Sequence, residues 1–113
     1  MNVRLHVVIL NWNDAPATVD CAGAIARWQR LTPTVWIVDN ASTDATCAAI
    51  RSAAPEVELI MSHTNLGFAA ANNLGIRRSR GDLVLLLNPD TIVSAGAIDC
   101  LVGHLDRRPD VAA

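Results

Sequence analysis

Lysine is absent from the 113-residue sequence, and cysteine occurs only three times, as Cys21, Cys47 and Cys100. The three thiols have neither the paired spacing of a zinc site nor the even count of a disulfide framework, so we expect a reducing compartment. The apolar run after Arg4 reaches Asn11 within a few residues, which is too short for a membrane-spanning helix, and it shows no signal-peptide cleavage pattern. These absences predict a cytoplasmic location, with the inner face of the membrane included.

The charge balance of the chain is slightly acidic. A net charge of −2 and a pI near 5.8 provide no overall positive charge for a nucleic-acid backbone. We therefore expect a small soluble ligand and no nucleic-acid partner. A length of 113 residues with 51% apolar content fits one domain, residues 1–113.

Short apolar runs alternate along the chain with segments of helical periodicity. The runs are rich in branched residues and are mostly uninterrupted by polar ones, which is typical of strands buried on both faces of a parallel sheet. The predicted strands are Leu5–Leu10, Val35–Val38, Val57–Met61 and Leu83–Leu87. The predicted helices are Ala15–Arg30, Asp44–Ala53, Gly67–Ser79 and a last helix whose apolar stripe is Ile98, Leu101, Val102 and Leu105.

Capping residues mark the ends of these predicted helices. Asp14 and Ser42 can cap the amino ends of the first and second helices, and Gly81 suits the left-handed conformation that ends the third. Strands that alternate with helices require right-handed crossovers and a sheet covered on both faces. The sequence therefore predicts an α/β fold, a Rossmann-like three-layer α/β/α sandwich with a mostly parallel sheet.

Polar residues cluster directly after each apolar run. The four clusters are Asn11–Asp14, Asp39–Asp44, His63–Gly67 and Asn88–Asp90. Each cluster alone is typical of a turn, because turns use Asn, Asp, Gly and Pro. Ligands of open α/β sheets, however, bind outside the carboxyl ends of the strands, where all four clusters converge. Their joint occurrence predicts a ligand site at that edge.

Two of the clusters have a specific chemical interpretation. The Asp39 carboxylate can accept a hydrogen bond from N3–H of a pyrimidine, and as a residue of the open rim it would be replaceable without loss of the fold. The alternative for Asp39 is an Asx turn or a helix cap. Asn88-Pro89-Asp90 offers the hard oxygen atoms that suit Mg²⁺ or Mn²⁺ beside a diphosphate, and the alternative here is an ordinary turn.

At these positions the chain resembles the family-2 inverting glycosyltransferases of the GT-A fold, particularly their bacterial rhamnosyltransferase-like members. The resemblance is carried by VVILNWN, VWIVDNASTD, NLGFAAANNLGI and GDLVLLLNPDT, which span nearly the whole chain. It implies that this chain is the nucleotide-sugar-binding half of such an enzyme. The implied donor-binding residues are Asn11, Trp12, Asn13, Asp39, Asn40, Asn65, Gly67, Asn73, Asn88 and Asp90.

Within that set the resemblance implies separate roles. Asn11 to Asn13 and Asp39 would hold the base and ribose of the nucleotide, and Asn65, Gly67 and Asn73 would line the same pocket. Asn88-Pro89-Asp90 is similar to the family's D-x-D motif with its first aspartate replaced by asparagine. Asp90 is therefore implied as the contact to Mg²⁺ or Mn²⁺ and the diphosphate.

The resemblance also implies a reaction. A sugar would pass with inversion from a dTDP-rhamnose or UDP-sugar donor to a saccharide or lipid-linked acceptor in bacterial cell-surface polysaccharide synthesis. In this family the catalytic base follows the D-x-D motif, so we expect it beyond residue 113 and expect the 113-residue chain alone to be inactive. Peripheral membrane association of the full-length enzyme is a further expectation.

Other classes of nucleotide-binding protein fit the sequence less well. A dinucleotide-binding dehydrogenase needs G-x-G-x-x-G after its first strand, where this chain has Asn11-Trp12-Asn13, and a phosphate-binding P-loop fails the same test. The alternative that remains open is a non-catalytic nucleotide-binding module on the same half-fold.

Overall fold

The computed structural model describes residues 4–42, 45–80, 83–91, 93–108 and 110. Strands and helices alternate along the chain, as predicted. The strands are β1 (Leu5–Asn11), β2 (Thr34–Asn40), β3 (Glu58–Ser62) and β4 (Leu83–Leu87). The helices are α1 (Ala15–Ala26), α2 (Thr46–Ala53), α3 (Phe68–Ser79) and α4 (Ala95–Arg107). None of the helices in the described part of the chain is long and apolar enough to cross a membrane.

The four strands form one parallel sheet in the order β3-β2-β1-β4. The chain moves outward from β1 through β2 to β3 and then returns across the sheet to β4, so its direction reverses between β1 and β4. In open α/β sheets, ligands bind in the crevice at such a reversal. The strand order therefore places the carboxyl ends of β1 and β4 beside the expected ligand crevice.

Helices cover both faces of the sheet. Leu5, Val7 and Ile9 of β1 belong to a core cluster that includes buried residues of α1, α2 and α4, namely Cys21, Ala22, Ile25, Ile50, Ile98 and Val102. Val8 belongs to the opposite face, where it clusters with Val38, Ile60 and Ala71 of α3. The predicted three-layer α/β/α sandwich is confirmed, with three helices on one face and α3 on the other.

The structure corrects the predicted end of α1 and the predicted cap of α2. Helix α1 ends at Ala26, where the sequence predicted Arg30, and its Asp14 cap is confirmed by a hydrogen bond from the Ala17 N–H. Ser42 does not cap α2, because its hydroxyl oxygen accepts from the Asn13 N–H and its hydroxyl group donates to Asp39. Helix α2 begins at Thr46 and has no side-chain cap.

Two further boundaries differ from the prediction. Strand β2 continues through Asp39 and Asn40, where the sequence predicted a loop, because both residues pair with β3 and Asp39 also pairs with β1. Helix α3 is closed by Arg80 in the left-handed conformation, with φ of 52°. The predicted cap, Gly81, lies outside the described residues.

Gly75 allows α3 to lie close against the sheet. A Cβ atom at this position would stand 2.6 Å from Val8 Cγ1 and 3.1 Å from Val38 Cγ2. Both neighbours are fully buried branched side chains, so the added methyl group would overpack the core. We expect Gly75→Ala to lower the free energy of unfolding by about 1–3 kcal/mol, as measured by urea denaturation.

Gly23→Ala is the matched control for that substitution. Gly23 also lies inside a helix, but the nearest atom to its added Cβ is Nη1 of Arg27 at 3.9 Å. Alanine is the better helix former, so this change should raise stability by up to about 1 kcal/mol. Equal effects at the two positions would show that α3 does not need a glycine to approach the sheet.

Candidate functional site

Parallel pairing brings the polar strand ends together at one edge of the sheet, which we call the carboxyl edge. Asn11, the last residue of β1, is the register partner of Asp39 in β2. Asn40, the last residue of β2, is the partner of Ser62 in β3. Asn88 directly follows β4, which pairs with the other side of β1. The predicted convergence of the strand ends is therefore present.

A buried hydrogen-bond network joins the ends of β1 and β2. Asn11 Nδ2 donates to Asp39 Oδ1 at 2.9 Å, and Asn11 Oδ1 accepts from the hydroxyl of Thr18 on α1. The Ser42 hydroxyl and backbone N–H donate to the two oxygens of Asp39, the second at 3.1 Å. Asn11 is 0% exposed and Asp39 3% exposed. The buried network thus links β1, β2 and α1 through hydrogen bonds.

The Asp39 carboxylate has many protein donors. Burial by itself raises the pKa of Asp39, but hydrogen bonds from Ser42, Asn11 and Cys47 outweigh burial and hold the pKa below the ordinary 3.8. A carboxylate accepts about four hydrogen bonds, and these three residues supply four donors. A ligand can thus bond to Asp39 only by displacing one of them, and the Cys47 thiol is the weakest donor of the set.

The loop after β1 is anchored by the same serine. Asn13 has a φ of 50°, in the left-handed region that asparagine tolerates, and its N–H donates to Ser42 Oγ at 2.9 Å. Trp12, between Asn11 and Asn13, is 57% exposed. The loop thereby presents an indole ring to solvent at the carboxyl edge, where an aromatic face can stack on a nucleobase.

A second amide cluster holds the loop between β3 and α3. Asn40, which is buried, donates from Nδ2 to Asn65 Oδ1 at 3.0 Å and accepts from the Leu66 N–H at 2.7 Å. The Gly67 N–H also donates to Asn65 Oδ1, and Gly67 has a φ of 81° that favours glycine. Asn40 and Asn65 therefore shape this loop, which leads into the amino end of α3.

Two hollows flank the loop after β4. One of about 190 Å³ is lined by Phe68, Asn72, Leu86, Leu87, Asn88 and Thr91. The other, of about 270 Å³, is bounded by α1, Leu87 and the loop, with Asp20 and Asp90 among its lining residues. Asn88 and Asp90 are both exposed, so their oxygen atoms are open to a ligand.

The structure separates the predicted site residues into two groups. Those with exposed side chains or backbone are Trp12, Asn65, Gly67, Asn73, Asn88 and Asp90. Asn11, Asp39 and Asn40 are buried and hydrogen-bonded within the protein, and Asn13 is partly buried. For Asp39 the expectation of an open rim position is wrong.

Sequence reasoning missed Thr18 and Cys47 in this region, predicted Ser42 only as a helix cap, and chose Asn73 rather than its neighbour Asn72 as a site residue. Thr18 lies three residues before Cys21 on the buried stripe of α1, a spacing that could have identified it. Asn72, not the exposed Asn73, lines the hollow beside Asn88, and its Nδ2 donates to the Phe68 carbonyl at 3.2 Å. The pair of asparagines inside a helix indicates a functional position, since asparagine is a poor helix former, but it does not show which of the two faces the hollow.

The oxygen atoms near β4 suit a hard divalent cation. Among the described residues no group of three or more His, Cys, Asp or Glu side chains could hold a metal ion by itself. Mg²⁺ and Mn²⁺ nevertheless need only one or two carboxylates when phosphate oxygens and water complete their coordination. The exposed Asp90 carboxylate, with the nearby Asn88 amide, fits a cation that arrives with a diphosphate.

Comparison with known proteins agrees with this geometry. Residues 6–113 match the sequence profile of "Glycosyl transferase family 2". An "N-acetylglucosaminyl-diphospho-decaprenol L-rhamnosyltransferase" of Mycobacterium tuberculosis is 28% identical over 120 residues, covering 96% of this chain and 39% of that protein. An "N-acetylglucosaminyltransferase" of Bradyrhizobium elkanii is 30% identical over 115 residues, covering 96% of this chain and 63% of that protein.

Solved structures show the same fold. The mannosyltransferase PcManGT from Pyrobaculum calidifontis, in complex with GDP-Man and Mn²⁺, has a TM-score of 0.78 and 26% identity, covering 93% of this chain and 33% of that one. S. aureus TarS 1-349 in complex with UDP has a TM-score of 0.78 at 18% identity, covering 92% of this chain and 32% of that one. Since the family profile spans nearly the whole chain, this protein belongs to glycosyl transferase family 2.

Proposed function

We propose that this chain supplies the donor-binding part of an inverting glycosyltransferase. The observation that carries the proposal is the carboxyl edge, where an exposed Asp90 and an exposed Trp12 flank the reversal point of a family-2 sheet. The proposed donor is a deoxythymidine- or uridine-diphosphate sugar, with L-rhamnose first among the sugars. The proposed acceptor is a saccharide or a lipid-linked saccharide.

The named relatives support these finer assignments. The mycobacterial relative is named for rhamnosyl transfer to a decaprenol-linked acceptor, and TarS has been solved with UDP and with UDP-GlcNAc. The archaeal mannosyltransferase holds GDP-Man and Mn²⁺, which supports the divalent cation and the diphosphate but not the choice of a pyrimidine base. This chain spans 39% of the mycobacterial relative, so the acceptor and the catalytic base are proposed to belong to the remainder of such an enzyme.

Different residues at the carboxyl edge bind different parts of the donor, and Trp12 and Asp39 bind the base. Trp12 stacks on the base, and uracil or thymine N3–H replaces the Cys47 thiol as the fourth donor to Asp39. Cytosine would be rejected, because its N3 is an acceptor that faces a carboxylate with a lowered pKa. Asn11, Thr18 and Ser42 keep the carboxylate in place for this contact.

The diphosphate is proposed to lie beside the loop after β4. Asp90 and Asn88 would hold Mg²⁺ or Mn²⁺ together with the phosphate oxygens, and the cation would stabilise the charge that develops on the leaving diphosphate. Without the cation, the Asp90 carboxylate and the diphosphate repel each other. Asp90 therefore favours donor binding only when the metal is present.

Donor binding should accordingly depend on a divalent cation. We expect the chain to bind UDP about tenfold or more tightly with Mn²⁺ than with EDTA, as measured by titration calorimetry. The reason is that the cation binds both the Asp90 carboxylate and the diphosphate, which repel each other in its absence. In Asp90→Asn most of this difference should disappear. Asp99→Asn removes the same charge from α4 and should keep it.

Two outcomes would contradict the assignments of this site. Equal affinity for UDP in Mn²⁺ and in EDTA would exclude the role of Asp90 as the metal contact. Equal affinity for UDP and CDP would exclude base reading by Asp39, while leaving the metal assignment intact.

A further inference from the structure

All nine basic residues of the chain are arginines with exposed side chains, and most of them lie at one end of the molecule. We call the edge where the four strands begin the amino edge. Arg4 directly precedes β1, and each helix that connects two parallel strands runs back to this edge. The arginines at the amino edge are Arg4, Arg27, Arg30, Arg51, Arg77, Arg78 and Arg80.

Negative charge is distributed the other way. Among the described residues, Asp14, Asp39 and Asp90 lie at the carboxyl edge, where none of the nine arginines is found. Glu56 and Glu58 lie at the amino edge, and both adjoin β3 at the outer end of the sheet. The net charge of −2 therefore averages over a strongly basic end and an acidic end.

Helix electrostatics explain only part of this separation. Basic side chains near a helix carboxyl terminus complement the helix dipole, which accounts for Arg51, Arg77 and Arg78. Arg4 and Arg30 lie outside the helices and gain nothing from the dipole. They line one hollow of about 430 Å³, together with Leu5, His6, Leu31, Thr32 and Thr34. A site that collects two guanidinium groups and hydroxyl groups suits phosphate oxygens.

We propose that the amino edge is a docking surface for an anionic lipid bilayer. Arginines near a surface of anionic lipid each contribute to attraction, and a cluster of them is needed for stable peripheral binding. Ile76, which directly precedes Arg77, is an apolar side chain 37% exposed at the same helix end. An apolar side chain beside arginines inserts at the boundary of headgroups and acyl chains, whereas it has no partner on a nucleic-acid backbone. A lipid surface therefore fits this edge better than a nucleic acid does.

This arrangement leaves the carboxyl edge free. Strands of five to seven residues separate the two edges by roughly 20 Å, so a bilayer at the amino edge does not cover Asp90 or Trp12. Docking to a bilayer does not depend on the proposed donor, because it uses the end of the sheet that donor binding leaves free.

Vesicle co-sedimentation tests the proposal with the 113-residue chain. The chain should bind vesicles in which about a third of the lipid is phosphatidylglycerol, should not bind pure phosphatidylcholine, and should be released by about 0.5 M NaCl. Arg77→Gln with Arg78→Gln should weaken binding roughly 25-fold, at about fivefold per arginine. Ile76→Ser should weaken binding to the same vesicles and leave its salt dependence unchanged.

A control variant with the same change of net charge shows whether vesicle binding depends on where the charge lies or only on its total. Gly96→Glu with Ala97→Glu also lowers the net charge by two, but at the start of α4, where both residues are exposed and nothing lies within 4 Å of a Cβ at Gly96. This variant should bind the anionic vesicles nearly as well as the unmodified chain. Equal losses in the two double variants would overturn the docking surface, as would binding to a DNA duplex as tight as binding to the vesicles.

Discussion

Replacing Asp39 with alanine should lower the free energy of unfolding by about 2–4 kcal/mol, because the buried donors on Asn11 and Ser42 lose their acceptor. The position is 3% exposed, so water cannot fully replace the carboxylate. A loss of this size is a large fraction of the stability of a small domain. Urea denaturation followed by tryptophan fluorescence measures it, since Trp36 lies in the same strand.

Asp14→Ala is the matched control for this substitution. Asp14 lies at the same edge, but its carboxylate is partly exposed and makes one cap hydrogen bond, to the Ala17 N–H at 3.4 Å. Its loss should cost about 1 kcal/mol. If both variants lost the same stability, the network around Asp39 would be no more than an ordinary turn.

The contribution of Asp39 should also depend on pH in a defined direction. Its pKa in the folded protein lies below the ordinary value of 3.8, so the carboxylate stabilises the fold at pH values above 3.8 and this stabilisation is lost as the pH falls through the folded pKa. The stability difference between the unmodified chain and Asp39→Ala should therefore be constant from pH 7 to pH 5 and should shrink below about pH 4. A difference that grew in acid would mean that Asp39 is protonated in the folded protein.

The fold was predictable because its strands and helices have separate periodicities. Runs such as LVLLL contain no polar residue and are bounded by polar clusters, so the order of elements could be read directly. The ends of strands were harder to place. Asp39 and Asn40 are polar, so their sequence predicts a loop, but cross-strand pairing and buried hydrogen bonds extend β2 over them. Local polarity cannot reveal partners that lie 25 or more residues away in sequence.

The location of the site could be predicted from the sequence, but which of its residues are buried and which are open to a ligand could not. The topology of parallel strands brings Asn11, Asp39 and Asn88 to one edge, whatever their side chains do there. Which side chains remain open to a ligand depends on hydrogen bonds such as those of Ser42, which the sequence indicated only as a helix cap. The basic amino edge was missed for a different reason. The net charge describes the chain as a whole, whereas the arginines follow the ends of the helices.

The 113-residue chain should show no acceptor-dependent release of nucleoside diphosphate from UDP- or dTDP-sugars. An inverting displacement needs a base within about 3 Å of the acceptor hydroxyl. At the carboxyl edge, Asp14 caps α1, the Asp39 carboxylate is enclosed by its own donors, and Asp90 is assigned to the metal and diphosphate. Without a positioned base the rate falls by about 10²–10⁴, and an acceptor that is not oriented reduces it further.

A coupled assay for UDP and dTDP release, with Mn²⁺ and a saccharide acceptor present, measures this expectation. The full-length mycobacterial relative, of which this chain matches 39%, serves as the positive control with its lipid-linked acceptor. Donor binding by calorimetry shows in parallel that the short chain is folded and able to take up UDP. Binding without turnover is the result we expect from a donor-binding part whose base lies elsewhere.

If the 113-residue chain did transfer sugar, Asp20 would be the candidate catalytic base. Asp20 on α1 lines the same hollow as Asp90, is exposed, and carries no other assignment at the carboxyl edge. If acceptor-dependent release occurred and Asp20→Asn abolished it while UDP binding persisted, Asp20 would be the base and the chain would hold a complete catalytic site. If neither turnover nor UDP binding were found, the donor-binding role itself would be wrong, since Trp12 and Asp90 would then have no nucleotide to hold.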